Sequence, residues 1–270
     1  MNALAARQTR RARPTGAPAS AFPARMVRLV SLGAGVVAWE VYGRAVHSPI
    51  FTYPSAVAAA GVDLVRTGEL PSYLGSSLVV FSLGLLLAVA VGIPLGVLMG
   101  RRAMVEHAID PWVNVFYAMP MVALIPVLVM WLGFQTKAKV IIVFLFCVFP
   151  VLINTYQGVR STDARLLEVA RSFCSPEGRL WRDVVLPSAA PFIVAGVRLA
   201  LGRGLVGMVV SEFYTTITGL GYMIVQYANT FRTDRLFVPI VVLMIMGVGL
   251  TGLLRSLERR IAPWHVPGQE

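Results

Sequence analysis

Few of the 270 residues are of a kind that makes or breaks bonds, and those few are scattered. Cys147 sits in an apolar run and Cys174 in a charged stretch, so a structural disulfide is not expected. His47, His107 and His265 are far apart, with no Cys or His at metal-ligand spacing, which leaves zinc and haem without support. No Gly-rich phosphate loop is present. The sequence therefore assigns no catalytic residue and no metal. What stands out is charge in unusual places. Arg198 and Arg203 interrupt an apolar run, and Glu212 follows at its end. A charge near a bilayer centre costs at least about 2.5–3.5 kcal/mol, so such residues face protein or a wet cavity. Two roles are open for the arginines: lining a route for an anionic solute, or snorkelling and pairing with a carboxylate such as Glu212.

The elements that must position these residues follow from composition. The chain is 57% hydrophobic and 14% charged, with a mean hydropathy of +0.72. Soluble domains carry about 25% charged residues, so most of this chain is expected to face lipid. A span needs about 20 apolar residues. The runs 76–100, 111–136, 140–159 and 236–254 are uncharged, 186–211 is broken only by Arg198 and Arg203, and 27–46 is trimmed by Arg28, Glu40 and Arg44. Six spans are predicted, with Glu40 and Arg44 placed to pair at i,i+4. In a helix starting near Leu186, Arg198 lies about 18 Å along and Arg203 about 26 Å.

Arginine placement predicts the orientation. The N-terminal arginines up to Arg28, the pair Arg101 and Arg102, those of the 160–187 connection and the C-terminal group from Arg255 to Arg260 all fall on one side under six alternating spans. Both termini are therefore expected in the cytoplasm. The net charge of +11 then reads as an insertion signal and a basic inner surface, not as a footprint for nucleic acid. Residues 1–25 are rich in Ala, Arg and Pro without an apolar period, which predicts a disordered basic tail. Residues 26–260 are expected to form the six-helix domain, and 261–270 a cytoplasmic C-terminal tail.

Pro120 and Pro126 lie inside the third run. Each removes a backbone donor, and either a kinked helix lining a pathway or an ordinary packed kink accounts for them. Gly84, Gly92, Gly96 and Gly100 in the second run permit close helix approach.

The connection 160–187 is the most patterned stretch. Ser161, Thr162 and Asp163 are all good caps for a short helix, ARLLEVARSF, whose apolar positions are Leu166, Ala170 and Phe173, widened by Leu167. Ser175-Pro176 starts a second helix in which Leu180, Trp181, Val184 and Val185 share a face and Arg179 can pair with Asp183. Pro187 and Pro191 are expected to end it and open the fifth span. Taken alone, this two-helix elbow either lies on anionic headgroups or docks another subunit.

The stretch Glu168-Val169-Ala170, then Cys174, then Val184-Val185-Leu186-Pro187 resembles the EAA loop of ABC-importer permeases, whose pattern is EAA, three residues, Gly, nine residues, I-x-L-P. Spacing matches throughout, with Val169 for Ala, Cys174 for Gly and Val184 for Ile. PFIVAGVRLAL through Arg198, SEF…GLGYMI with Glu212, Gly219, Gly221 and Tyr222, TYPSAV near Pro54 and IPLGVLMGR near Pro94 are similar to the nitrate/sulfonate/taurine-type branch.

The resemblance implies an all-α polytopic fold of the type I importer permease kind, with six transmembrane helices and a cytoplasmic coupling-helix elbow. It implies a permease subunit in a bacterial inner membrane, working as a pair of copies, with a cytoplasmic ATP-binding subunit and an extracytoplasmic solute-binding protein. Glu168, Val169, Ala170, Cys174, Val184, Leu186 and Pro187 would couple to the ATPase. Arg198, Arg203, Glu212, Pro120 and Pro126 are candidates for the path. ATP would be bound by the partner, and the chain would need no cofactor of its own. The solute would be a sulfonate, a nitrate-like anion or a heterocyclic vitamin precursor. Glycine at the Cys174 position accepts positive φ and cysteine rarely does, so the turn there is an open expectation. An ion-coupled secondary carrier is the alternative, with Arg198 its one feature. A membrane enzyme would need clustered His, Asp or Glu at one face, and the sequence offers none.

Overall fold

Uncharged runs of this length satisfy their backbone groups internally only as helices. The computed structural model, which describes residues 24–46, 48, 50–215 and 218–261, is all-α in those residues. The predicted tails over 1–25 and 261–270 lie outside the described residues, apart from 24, 25 and 261. In chain order the helices are α1 (Ala24–Ala45), α2 (Pro54–Arg66), α3 (Glu69–Arg101), α4 (Ala103–Ala118), α5 (Met121–Leu132) and α6 (Thr136–Arg160). The short α7 (Ala164–Ser172) and α8 (Glu177–Leu180) follow, then a π-helical turn (Trp181–Val185), α9 (Leu186–Thr215), α10 (Leu220–Asn229) and α11 (Thr233–Ile261).

Close packing around small residues fixes the bundle. A Cβ added to Gly84 would stand 2.6 Å from Val143, and one added to Gly96 would stand 2.7 Å from the Leu152 carbonyl and 2.8 Å from Thr155. Only glycine lets α3 and α6 approach this closely. The same contacts fix direction. Gly84 meets Val143, Gly92 meets Val151 and Gly96 meets Thr155, so α3 and α6 run parallel. Along α9 the order reverses: Gly196 packs beside Asn154 and Gly204 beside Cys147. Between them lies the main core, with Phe81, Ala88, Val143, Val151, Ala200 and Met208 all buried.

One expectation changes. The third run, expected as one span over 111–136, is two helices meeting at 98°. The cause is Pro120, which holds Met119 extended at φ −70°, ψ 135° and is itself extended. Because α3 and α6 are parallel neighbours, the chain must leave one end of α3 and enter α6 at the opposite end. Together α4 and α5 therefore cross the full thickness as a broken span. Six spans were expected. Among the described residues four helical segments are long and apolar enough to cross, and the broken pair makes five. The remaining helix, α1, has the length of a span at 22 residues, but Arg28, Glu40 and Arg44 hold its apolarity below that of the others. Glu40 does pair with Arg44 at 2.7 Å, and it also accepts hydrogen bonds from the Ser55 N–H and hydroxyl, which ties α1 to α2.

Candidate functional site

The elbow is built by backbone termination at both of its ends. Ser161 and Thr162 hydroxyls each donate at 3.0 Å to carbonyls of the last turn of α6 and close that helix. Asp163 then caps α7 by accepting from the Arg165 N–H at 2.9 Å. At the far end the Cys174 N–H donates to the Arg171 carbonyl and the Ser175 N–H to the Ala170 carbonyl, while Cys174 takes φ +52°. This pair of bonds with a left-handed residue is the Schellman arrangement. Cysteine thus adopts the conformation that glycine would supply at this place in the motif.

Each side of α7 has a different fate. Leu167 and Ala170 pack with Leu180 and Trp181 over the buried Val159, Val185 and Ala189. Leu166, Val169 and Phe173 are exposed on the other side, Phe173 to 80%, with Glu168 beside them. Of the face expected over Leu166, Ala170 and Phe173, only Ala170 turns inward, and Leu167 takes the place given to Leu166. Val184 and Pro187 are half-buried and Leu186 partly exposed, at the junction with α9 rather than beside Glu168. Val185, outside the expected coupling set, is the buried residue there.

Neither Pro187 nor Pro191 ends a helix. From Glu177 to Thr215 the chain is one continuous 39-residue helix containing the π turn. A proline in the first turns of α9 removes only one bond each, and the wider π turn absorbs the lost pairing. No Arg179–Asp183 ion pair forms among the described residues. Arg101, at the end of α3, instead bonds Glu177 at 3.0 Å and lies 5.2 Å above the Trp181 ring, pinning the elbow to the bundle. A cavity of 440 Å³ opens beside this contact, bordered by Arg102, Thr162 and Arg171.

The candidate path residues separate into three places. Arg198 pairs with Glu258 of α11 towards the elbow end. Arg203 donates to the Tyr117 hydroxyl at 2.7 Å, with its guanidinium 4.6 Å above the Tyr117 ring. Tyr117 is the penultimate residue of α4, so the Pro120 break sets it there. Tyr117, Met119, Met121, Phe146, Phe149 and Arg203 border a cavity of 240 Å³ at the break. Pro126 stays inside α5, where it interrupts one bond and no more.

Glu212 pairs with neither arginine. It is fully buried and accepts from the Ser77 hydroxyl at 2.7 Å and the Gly221 N–H at 2.8 Å; Ser77 in turn accepts from the Leu220 N–H at 2.8 Å. The first two N–H groups of α10 are thereby capped by side chains from α9 and α3. Gly219 sits at φ +114°, and a Cβ there would overlap the Glu212 carboxylate. Nearby, buried Lys139 donates to the Thr218 carbonyl at 2.7 Å and to its hydroxyl at 3.2 Å. Ser77, Tyr117 and Glu258 carried no signal in the sequence, because each is brought in by packing from a helix remote in the chain. The one legible trace was the spacing of Glu212 from the two glycines.

A bundle of membrane-length helices with an amphipathic elbow at one end defines a class, the polytopic membrane subunit. The family comparison is specific. Residues 92–263 match the model of the binding-protein-dependent transport system inner membrane component, and the chain belongs to that family of ABC-transporter permeases. It is 32% identical over 232 residues to a Bacillus subtilis permease protein named for aliphatic sulfonates transport, SsuC, covering 85% of this chain and 84% of that one. It is 30% identical over 250 residues to the taurine transport system permease protein TauC of Escherichia coli, covering 88% and 91%. With the formylaminopyrimidine transport permease protein ThiX of Halalkalibacterium halodurans it shares 29% over 231 residues, covering 85% and 92%. Among solved structures, an inward-facing MetNI methionine ABC transporter matches with a TM-score of 0.59 at 18% identity, over 71% of this chain and 95% of that one. A second, an amino acid ABC transporter with histidines, gives 0.52 at 19%, over 73% and 97%. The fold is therefore the type I importer permease fold, and the protein is a multi-pass inner-membrane permease. The ion-coupled carrier reading finds no support.

Proposed function

We propose that this permease forms the translocation path for a small solute and is driven by a separate ATP-binding subunit that grips the 160–187 elbow. The carrying observation is α7. One of its sides is buried against the bundle, while Leu166, Val169 and Phe173 stand in water beside Glu168. A nine-residue helix held this rigidly, with an apolar stripe at i, i+3 and i+7, fits a groove on a second protein. Glu168 supplies the charge that orients it, and Val169, Ala170, Cys174, Val184, Leu186 and Pro187 shape and anchor the elbow. ATP binds the partner, and this chain performs no bond chemistry and takes no cofactor.

A homodimer of permeases encloses the path, fed by a solute-binding protein at the outer face. The elbow, both termini and the arginine-rich ends lie in the cytoplasm. The solute in this reading is a sulfonate, a nitrate-like anion or a heterocyclic vitamin precursor; relatives named for aliphatic sulfonates, taurine and a formylaminopyrimidine support the first and the last. Glu168→Arg in the affinity-tagged permease tests the docking. The expected outcome is loss of the co-purified ATP-binding subunit and of uptake, with the permease still folded by thermal melt. Retention of both refutes the docking role.

A further inference from the structure

The cavity at the α4–α5 break has a polarity that its surroundings do not. Arg203 stands in the middle of a membrane helix, 12 residues before its end at Thr215, and is exposed on the same side of α9 as Leu199 and Val206. A guanidinium at that depth is not left in hydrocarbon, so this face meets protein, water or solute. In the described residues it has no carboxylate partner. Among the described residues its side-chain hydrogen bond is to Tyr117, and there arginine donates. The Tyr117 oxygen is used as an acceptor, and its own O–H stays available as a donor. The remaining guanidinium N–H groups are donors as well. What the pair presents is a set of donors carrying a positive charge, with no acceptor among them. Such a set selects a group that only accepts, above all an oxyanion.

The remainder of the wall is apolar and adaptable: Met119, Met121, Phe146 and Phe149. The 240 Å³ of space suits a ligand on the order of ten heavy atoms, at the small end of ligand sites. We propose that this cavity is an anion-binding waypoint within the permease itself, in which Arg203 and Tyr117 hold the oxyanion of a small solute and the Met and Phe side chains hold its apolar body. The permease then adds its own selection to that of any binding protein, favouring organic anions over neutral or cationic solutes. This rests on the permease reading and narrows its solute class. Arg198 has no part in it, because its charge is answered by Glu258.

The test uses the complex of permease and ATP-binding subunit in liposomes, with Cys174→Ser removing the exposed thiol and Cys147 buried. Val206→Cys, or Met121→Cys as a second reporter, places a thiol in the cavity wall. The rate of its labelling by a water-soluble maleimide is followed against added 1-hexanesulfonate. Labelling should occur and be slowed by hexanesulfonate, less by methanesulfonate, and not by hexanol or hexylammonium. The half-protecting concentration should rise roughly tenfold in Arg203→Gln, the scale of one charge-assisted bond, rise less in Tyr117→Phe, and recover partly in Arg203→Lys. No labelling at either reporter, protection by hexanol equal to that by hexanesulfonate, or an unchanged half-protecting concentration in Arg203→Gln would each overturn the proposal. Failure of the permease reading is distinct: the unmodified chain would then not assemble with an ATP-binding subunit at all.

Discussion

Cys174 takes a conformation that costs a side-chain-bearing residue roughly 1–2 kcal/mol relative to glycine, yet it completes the two bonds that end α7. Cys174→Gly is therefore expected to raise stability by about 1 kcal/mol, and Cys174→Val to lower it, read as opposite shifts of the melting temperature of the purified permease. The spacing of the loop motif pointed to this turn, but residue type alone could not, since cysteine is a poor choice for it. At Glu212 the sequence misled. Two arginines lie in the same run as Glu212 and suggest a pairing, but contact between them would need side chains to reach along the helix. Packing instead delivers Ser77 from α3 and the α10 backbone. Glu212→Ala strands those donors in a buried place, and a loss of about 1–3 kcal/mol is expected for each group left unpaired. Gly219→Ala should be at least as damaging, because a methyl group there meets the carboxylate at a backbone angle that disfavours it. Both are read by melting in detergent, against Glu212→Gln as the milder change.

Among the elements, long apolar runs told where most helices lie, and the loop pattern told that an elbow connects two of them. Direction of packing around α7 was less legible. Leu166 and Leu167 are adjacent and equally apolar, so periodicity could not choose which faces the bundle; the contact with Val159 and Leu180 does. The exposed stripe that results gives an expectation of its own. Phe173→Ala removes a side chain that contacts little within the chain, so melting should stay within about 0.5 kcal/mol of the parent. Binding of the ATPase should weaken by more than about 1 kcal/mol, as for a buried aromatic anchor, measured by co-purification over a range of detergent-solubilised concentrations. The break at Pro120 was legible only as a kink. Two prolines six residues apart look alike in sequence, but Pro120 falls where α4 has already ended and Pro126 falls within α5.

For the whole molecule, the parallel pairing of α3 and α6 is the organising fact, since it demands that the intervening chain cross once and puts the ends of α3 and α6 together at the elbow side. A larger side chain in that seam, as in Gly96→Leu, should cost about 1–3 kcal/mol or more by overpacking, seen as lower yield and melting temperature of the purified protein. Long-range contacts of this kind are what a single sequence withholds; its glycines mark a close approach without naming the partner helix. The continuous helix from Glu177 to Thr215 also has a mechanical meaning. Its Thr215 end is bolted at Glu212 to α3 and α10, while its Glu177 end carries the elbow. Taken as a stiff lever with that bolt as fulcrum, the arm to Glu177 is about 52 Å and the arm to Arg203 about 13 Å at 1.5 Å per residue. The gearing is a reduction of roughly four: a pull of several ångströms on the elbow arrives at Arg203 as a nudge of an ångström or so, enough to loosen a hydrogen bond without dismantling the wall around it.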